Sequence, residues 1–413
     1  MPNRLATSDV VAVPHTLKSL TIKASLLEIF YWFAMSTYTS FMVSTLISVG
    51  WSQSLAAGAI TACSVIMLLA QPVAGFLIDK YLTEKKLVII SLGLAAVFLA
   101  AFPFTLTSGS NTLIFGNMVL FTLTGSAMAG FLDAWIVGLR QEFHELNYGL
   151  IRGSGSVAFA FGAVINGRLA VAHGIPLRHA LGVVVFIFAI IIAINLKPAR
   201  KDIATQAETV TEESQENLRV RETLRLVFQS PPYRLLLVVA FCVSICASPL
   251  MTLLQLIVRD LGGDDGAVGM VMFVNASSEF PTMVLVVYLL RRFKKTRLIL
   301  FAALAYTIRM FLTGTIADLT PLMAVQAIQA LSYGIFIPVA MNYLSEIVDS
   351  RVRSTAVAIY TALGFSLSNI LGNLLTTFML GRGITAQEIT LGLAIFPLLA
   401  FVITSYGIFR KIW

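Results

Sequence analysis

Four charged side chains, Asp133, Arg152, Glu279 and Arg309, stand inside long apolar stretches of this sequence. In hydrocarbon such groups persist when they pair with one another or face a water-filled cavity. A carboxylate beside a guanidinium lowers the cost of burial, and the Arg fork keeps donors free for a hydroxyl or carboxylate on a bound solute. Asp133 lies in GSAMAGFLDAWIVGLR, and Arg152 follows the polar hairpin QEFHELNYG at the start of the next apolar run, so two antiparallel neighbours bring the groups together. Glu279, in NASSEFPTMV, and Arg309, in ALAYTIRMFL, are the corresponding candidates in the second half. They sit too deep in their runs for snorkelling, which favours pairing or cavity exposure. Pro281, just after the acid, frees a backbone carbonyl, as in the bent helices of transporters. The alternative for Asp133 and Arg152 is a structural ion pair, or an Arg near enough to the inner end to reach the headgroups.

Other chemistry finds no support. The four histidines, His15, His144, His173 and His179, fall at segment edges or in loops and form no metal-binding pattern. Cys63, Cys242 and Cys246 lie inside hydrophobic runs, where neither a disulfide nor a metal site is expected. There is no P-loop and no clustered nucleophile, base and donor near one interface, which argues against a pump or an enzyme; no cofactor is implied.

The elements that position these charges follow from composition. Hydrophobic residues make up 57% of the 413 and charged residues 12%, with a mean hydropathy of +0.86, which is the profile of an all-α polytopic membrane protein. A membrane helix takes about 20 apolar residues. The chain divides into twelve such runs, near 24 to 49, 53 to 78, 87 to 107, 111 to 138, 150 to 172, 179 to 196, 233 to 258, 266 to 290, 297 to 316, 320 to 345, 353 to 379 and 387 to 409. They are far too long for alternating barrel strands. With the N-terminus inside, Lys and Arg concentrate in the inner segments, leaving Arg168, Arg178, Arg259 and Arg382 outside. Both termini are thus expected in the cytoplasm of an inner-membrane protein. The net charge of +8 reflects orientation and anionic lipid, with no nucleic-acid partner. Residues 1–23 lack the core and cleavage site of a removable signal peptide, so the first helix is expected to act as its own insertion signal.

After the sixth run the composition changes to a polar segment, KPARKDIATQAETVTEESQENLRVRETLR, read as a cytoplasmic linker over 197–232 that is partly helical near its end. It separates a six-helix unit at 24–196 from a second at 233–409, followed by a cytoplasmic tail at 410–413. The halves look duplicated: GFLIDKYLTEKK faces YLLRRFKKTR, and IRGSGSVAFAFG faces VRSTAVAIYTALG with Arg152 and Arg353 in register.

With twelve runs, a basic central loop, and G-x-x-x-D-K from Gly75 to Lys80 followed by Lys85 and Lys86, the chain resembles the major facilitator superfamily. Within it, the chain resembles the lactose permease-like branch of oligosaccharide:proton symporters and the related phenylpropionate and nucleoside permease-like proteins. The stretches that carry this are FYWFAMSTYTSF, QPVAGFLIDK, NYGLIRGSGSVAFAFG, SSEFPTMV, YTIRMF and MNYLSEIVDSRVRSTAVAIY. The resemblance implies that Arg152, with an acid on the preceding helix, holds substrate. Asp133 matches that acid after a shift of one residue, and Phe159 stands where the family stacks a larger aromatic on the sugar. It also implies that Glu279 bridges substrate and proton-coupling residues, and that Arg309 keeps the coupling acid deprotonated in the right phase of the cycle. Gly75, Asp79, Lys80, Lys85 and Lys86 would form a conformational latch. The loop reads equally as a topology-setting basic segment, with Gly75 and Gly93 permitting close packing and Asp79 facing a helix N-terminus or a cation.

The sequence departs from that branch on the tenth run, where Gln329 and Ser332 replace a His and a proton-carrying Glu. Neither titrates near neutral pH. Proton coupling then falls to Glu279, Asp133 or Glu28, the last a carboxylate about a turn into the first run that can reach the headgroups; otherwise the carrier is an uncoupled facilitator, exchanger or efflux protein. Tyr31, Tyr38, Gln255, Asn275, Gln326, Gln329, Tyr333, Asn342, Asn369 and Asn373 are polar candidates for the path, though most such residues serve as interhelical hydrogen bonds. Gln326, Gln329 and Tyr333 share one helix face that suits a hydroxylated or amide-bearing solute. Gly153, Ser154, Gly155, Ser156, Gly162 and Gly167 read as a close-packing surface on which helices rock. The expectation is a monomeric secondary transporter of a small polar organic solute, with Asp133, Arg152, Phe159, Tyr31, Tyr38, Gln326, Gln329 and Tyr333 toward substrate and Glu279, Arg309 and Asp133 toward the proton.

Overall fold

The computed structural model describes the backbone of residues 13–143, 145–196 and 220–413, with their side chains other than 13–16, 77, 79, 141, 142, 220, 221, 283 and 284. The described residues are helical nearly throughout, and each predicted run coincides with a helix or a helix in pieces. The amino-terminal half comprises α1 Val13–Thr39, α2 Met42–Ser48, α3 Gln53–Lys80, α4 Glu84–Thr107, α5 Asn111–Thr124, α6 Ala129–Glu142, α7 Tyr148–His173 and α8 Ile175–Asn195. A short α9, Val220–Gln229, falls in the expected linker, whose residues 197–219 lie outside the described part. The carboxy-terminal half comprises α10 Pro231–Ser244, α11 Ala247–Asp260, α12 Asp265–Arg292, α13 Lys295–Thr315, α14 Leu319–Val325, α15 Tyr333–Ile347, α16 Arg353–Ile359, α17 Ser368–Gly381, α18 Ala386–Leu393 and α19 Ile395–Phe409.

Among the described residues, ten helical spans are long and apolar enough to cross a membrane, or eleven if the bent Asp265–Arg292 counts as one. The first predicted run is not among them. Its helix starts at Val13, well before the expected residue 24, takes in Lys18, Lys23 and Glu28, and is interrupted between Thr39 and Met42. The starts and stops follow local chemistry. Thr83, Ser110, Asn147, Ser230 and Asp264 each accept a backbone N–H at a helix N-terminus, and Thr385 with Glu388 closes a capping box. Gly174 joins α7 to α8 at φ +83°, a conformation that a side chain would strain.

Packing assembles each half around its own helices and then joins the halves. In the first, α1 lies on α7 and α8, and α4 on α8. Between halves, α7 meets α12 and α3 meets α17. The expected small-residue surface of α7 is where this happens. A Cβ at Gly167 would run into the Asp265 carbonyl, one at Gly269 of α12 into the Ala163 carbonyl, and one at Gly162 into Ser36 of α1. Gly75 and Gly93 behave differently from expectation: a Cβ on either meets nothing within 4 Å, so neither is required by close packing here. The loop motif is tied down elsewhere, because Lys85 Nζ donates to the carbonyls of Ile194 and Leu196 at 2.7 and 2.6 Å, capping the end of α8. Lys80 stands over the Phe76 ring at 4.9 Å, Lys86 is exposed, and the Asp79 side chain lies outside the described residues.

Side-chain hydrogen bonds join the halves at the end that carries the α2–α3, α7–α8 and α11–α12 turns. Asp265 accepts from Arg178 at 2.9 Å and from Arg259 and Ser44 at 2.5 Å each. Within the first half Arg178 also donates to Thr45 at 2.8 Å, and across the halves Gln53 donates to Asp260 at 3.0 Å while Thr61 and Thr377 lie 3.1 Å apart. Arg178, assigned by sequence to an outer loop, is instead a buried cation 1% exposed and shares Asp265 with the partly exposed Arg259. Desolvation of that kind is tolerated because the guanidinium is partnered by an anion.

Candidate functional site

Between the two halves lies a cavity of about 440 Å³. Trp32, Arg152, Ser156 and Phe159 line it from α1 and α7. Ser248, Met251, Gln255, Asn275 and Glu279 come from α11 and α12, Arg309 from α13, and Gln329 and Tyr333 from the broken segment that begins α15. Helix breaks bring many of these polar side chains to the wall. The seventh run divides between α10 and α11, and Ser248 just past the break is held by Asn369 Oδ1 at 3.2 Å and Asn373 Nδ2 at 2.8 Å. A Cβ at Gly372 would strike the Ile245 carbonyl at the break itself, so the third partner of that clamp must be glycine. The tenth run narrows to a 3-10 turn over Gln326–Ala330, which aims both glutamines at α13. Helix α12 bends by 50° beside Pro281.

In the amino-terminal half the expected pair forms. Arg152 Nε lies 3.6 Å from Asp133 Oδ1, both side chains are 31% exposed, and Tyr148 donates to the same oxygen at 3.1 Å. Arg152 reaches Ser156 at 3.4 Å, and its guanidinium lies 4.5 Å above the Trp32 ring. Asp133 therefore supports Arg152 from behind, while Arg152 itself faces the cavity. Phe159 lines the wall and meets Trp32 edge-on at 6.2 Å. Sequence reasoning passes over Trp32, which supplies the larger ring. Its spacing of four from Glu28 on one helix face is the available signal.

In the second half the expected direct pair does not form. Glu279 and Arg309 are joined through Gln329, whose Oε1 accepts from Arg309 Nη1 and whose Nε2 donates to Glu279 Oε1 at 2.6 Å. Arg309 is fully buried and its remaining donors go to Gln326 Oε1, at 3.2 Å from Nε and 2.8 Å from Nη2. Gln326 in turn donates to Thr313 and to the Leu322 carbonyl, so it braces Arg309 behind the wall and has no free edge for a solute. A pair of amides thus replaces a carboxylate as the partner of a buried guanidinium, which leaves Glu279 a carboxylate with capacity to spare.

Several predicted path residues stand away from the cavity. The Tyr31 hydroxyl donates to the Gly125 carbonyl at 2.9 Å, tying α1 to the end of α5. Tyr38 is buried against Phe121 with ring centroids 4.0 Å apart. Asn342 is exposed. Gln255 has two faces: it lines the cavity, yet its Oε1 accepts from the Ser44 backbone at 3.2 Å, beside the Asp265 cluster. Glu28 differs most from expectation. It lies about four turns into a helix that begins at Val13, and it is fully buried against α7.

The fold matches solved transporters over almost its full length. The nucleoside transporter NupG superposes with a TM-score of 0.73 at 13% identity, covering 94% of this chain and 98% of that one. A D-xylose-proton symporter gives 0.68 at 15% identity over 94% and 97%. In sequence, the chain is similar to a maltose permease of Geobacillus stearothermophilus, 29% identical over 81% of this chain and 79% of that protein. It is also similar to the uncharacterized transporter YwbF of Bacillus subtilis strain 168, 24% identical over 76% and 74%. With paired helical halves, a cavity between them that several polar side chains line, and a match of residues 21–402 to the MFS_1 like family, the chain belongs to that family and is a multi-pass membrane transporter of the major facilitator superfamily.

Proposed function

We propose that the chain carries a small polar organic solute, a sugar before a nucleoside or an aromatic acid, across the inner membrane by alternating access, in symport with a proton that Glu279 takes up. The observation that carries this is the joint lining of one cavity by Arg152 of one half and Glu279 of the other. A solute that bridges them senses both halves, and a proton on Glu279 changes what the second half offers it. The volume suits a small organic ligand, and the mix of two rings with amide and guanidinium edges suits a pyranose, which has apolar faces and hydroxyl rims. The maltose permease relative supports the same substrate class. In this reading Asp133 orients Arg152, while Arg309 reaches Glu279 through Gln329. Tyr333 and Phe159 bound the solute, and Tyr31, Tyr38 and Gln326 hold the helices behind the wall.

Alternating access would work by breaking the Asp265 cluster as the other end closes. The loop from Gly75 to Lys86 would latch that other end, with twelve spans, both termini cytoplasmic and the protein acting as a monomer. Uncoupled facilitation or exchange is the second reading, favoured by Gln329 and Ser332, neither of which carries a proton.

The test is uptake into proteoliposomes of maltose, D-xylose, uridine and an aromatic acid, with and without an imposed pH gradient. Gradient-driven accumulation of a sugar is expected, and Glu279→Gln should lose it while retaining counterflow. Counterflow without accumulation in the unmodified protein would decide for the uncoupled reading.

A further inference from the structure

Glu28 takes no part in the mechanism above, yet among the described residues it is the most completely buried carboxylate of the amino-terminal half, with no exposed surface at all. One oxygen, Oε2, accepts from Trp32 Nε1 at 2.8 Å, and the other, Oε1, has no hydrogen-bond partner. An ionised carboxylate left with one bare oxygen in a low-dielectric setting is strongly disfavoured. The surroundings are built for the arrangement. A Cβ at Gly155 would come within 2.9 Å of Glu28 Oε2 and 2.5 Å of the Trp32 ring, so α7 must present a glycine for the acid and indole to fit.

The charged groups near it set up a shortage. Asp133 of α6 and Arg152 of α7 are the charges that act on Glu28. Tyr31 of its own helix and Tyr148 of α7 are the other titratable groups within its field. Helix α8 also packs on α1, but its ionisable groups, Arg178 and His179, lie at the opposite end, with Asp265 and against Phe102. One guanidinium is therefore set against two carboxylates. Asp133 has the ion pair and a Tyr148 hydroxyl, and Glu28 has neither. Where two buried acids share one cation, the acid with fewer donors is the one placed to take up a proton.

Trp32 links that proton to the solute site. Its N–H binds Glu28 while its face lies under the Arg152 guanidinium. We propose that Glu28 is a second proton-binding site of this transporter, and that its charge state is transmitted to Arg152 through the Trp32 indole. The bond is charge-assisted when the acid is ionised and weaker when it is protonated, so the plane on which Arg152 rests is firm in one state and loose in the other. This deepens the symport reading, on which it rests, by placing one proton site in each half, Glu28 beside Arg152 and Glu279 beside Gln329.

The experiment reads the proton directly. Infrared difference spectra of the detergent-solubilised full chain are recorded across a pH titration, following the C=O stretch of protonated carboxyl groups, with Trp fluorescence in parallel. In the unmodified protein and in Glu279→Gln, a carboxyl band and a fluorescence change should titrate together; in Glu28→Gln that band and the linked fluorescence change should be lost. Should Glu28→Gln not fold, Trp32→Phe keeps the acid and removes its donor, and the band should then titrate at a displaced midpoint. A band that survives Glu28→Gln, or keeps its midpoint in Trp32→Phe, overturns the proposal. The symport reading fails separately, by the absence of gradient-driven accumulation in liposomes, whatever the infrared band does.

Discussion

Gln329 donates its amide N–H to Glu279 across 2.6 Å while its carbonyl oxygen accepts from Arg309, so one neutral side chain occupies the space between two charges. An amide has one donor end and one acceptor end, and here each end meets the charge it suits. Reversing it would set N–H against guanidinium and C=O against carboxylate. The orientation of Gln329 is therefore fixed by its neighbours, and it links Glu279 to Arg309 without contact between them.

Gln329→Leu removes both ends at once. Arg309 keeps Gln326, but Glu279 loses a buried donor, and the expected loss is about 1–3 kcal/mol of stability. A lowered midpoint in thermal unfolding of the detergent-solubilised protein is the readout. Gln329→Glu should instead bind Arg309 directly and repel Glu279, changing the pH profile of uptake rather than the melting point alone. Equal behaviour of the two variants would contradict the relay.

Arg152→Lys keeps the charge and loses the planar fork that rests on Trp32 and reaches Ser156 and Asp133. Solute affinity measured by counterflow should fall roughly tenfold or more, equivalent to about 1.4 kcal/mol. An unchanged affinity would remove Arg152 from the list of solute ligands and leave it a structural cation.

Asp265→Asn strips the anion from a cluster holding Arg178, 1% exposed, and Arg259. Breaking a buried pair costs about 3–5 kcal/mol because one charge is left uncompensated. The loss should fall on the state in which this end is closed. A Met272→Cys probe in the cavity wall, with Cys63, Cys242 and Cys246 replaced, should then be labelled faster by an impermeant thiol reagent from the outer side. An unaltered labelling rate would mean that the cluster does not gate the cavity.

Gly167→Ala addresses the same end through packing. Its new methyl group would meet the Asp265 carbonyl of α12, so the helices must part or the backbone must yield, at about 1–3 kcal/mol. The variant should resemble Asp265→Asn in labelling and leave solute affinity measured by counterflow unchanged. Gly75→Ala, with open space around it, should alter neither.

Hydropathy alone establishes this chain as an all-helical multi-pass membrane protein, because the need to satisfy every backbone group in lipid leaves long apolar runs no other form. The order of residues also singles out Asp133, Arg152, Glu279 and Arg309 as charges out of place in such runs, and it brings Asp133 to Arg152 by a hairpin short enough to fix their register. Glu28 is also visible in the first run, but its depth along the helix is not, because the helix starts at Val13, well before the apolar run, and a polar helical extension carries no hydropathy signal. Three relationships arise in the folded molecule and nowhere earlier: Gln329 stands between Glu279 and Arg309, Gln326 turns away from the cavity, and Asp265 gathers Arg178 and Arg259 across the two halves. These pairings join residues on different helices, whose rotation and depth are set by close packing at Gly167, Gly269 and Gly372. Periodicity fixes the face a side chain takes on its own helix; the neighbour it meets there depends on how all the helices pack at once.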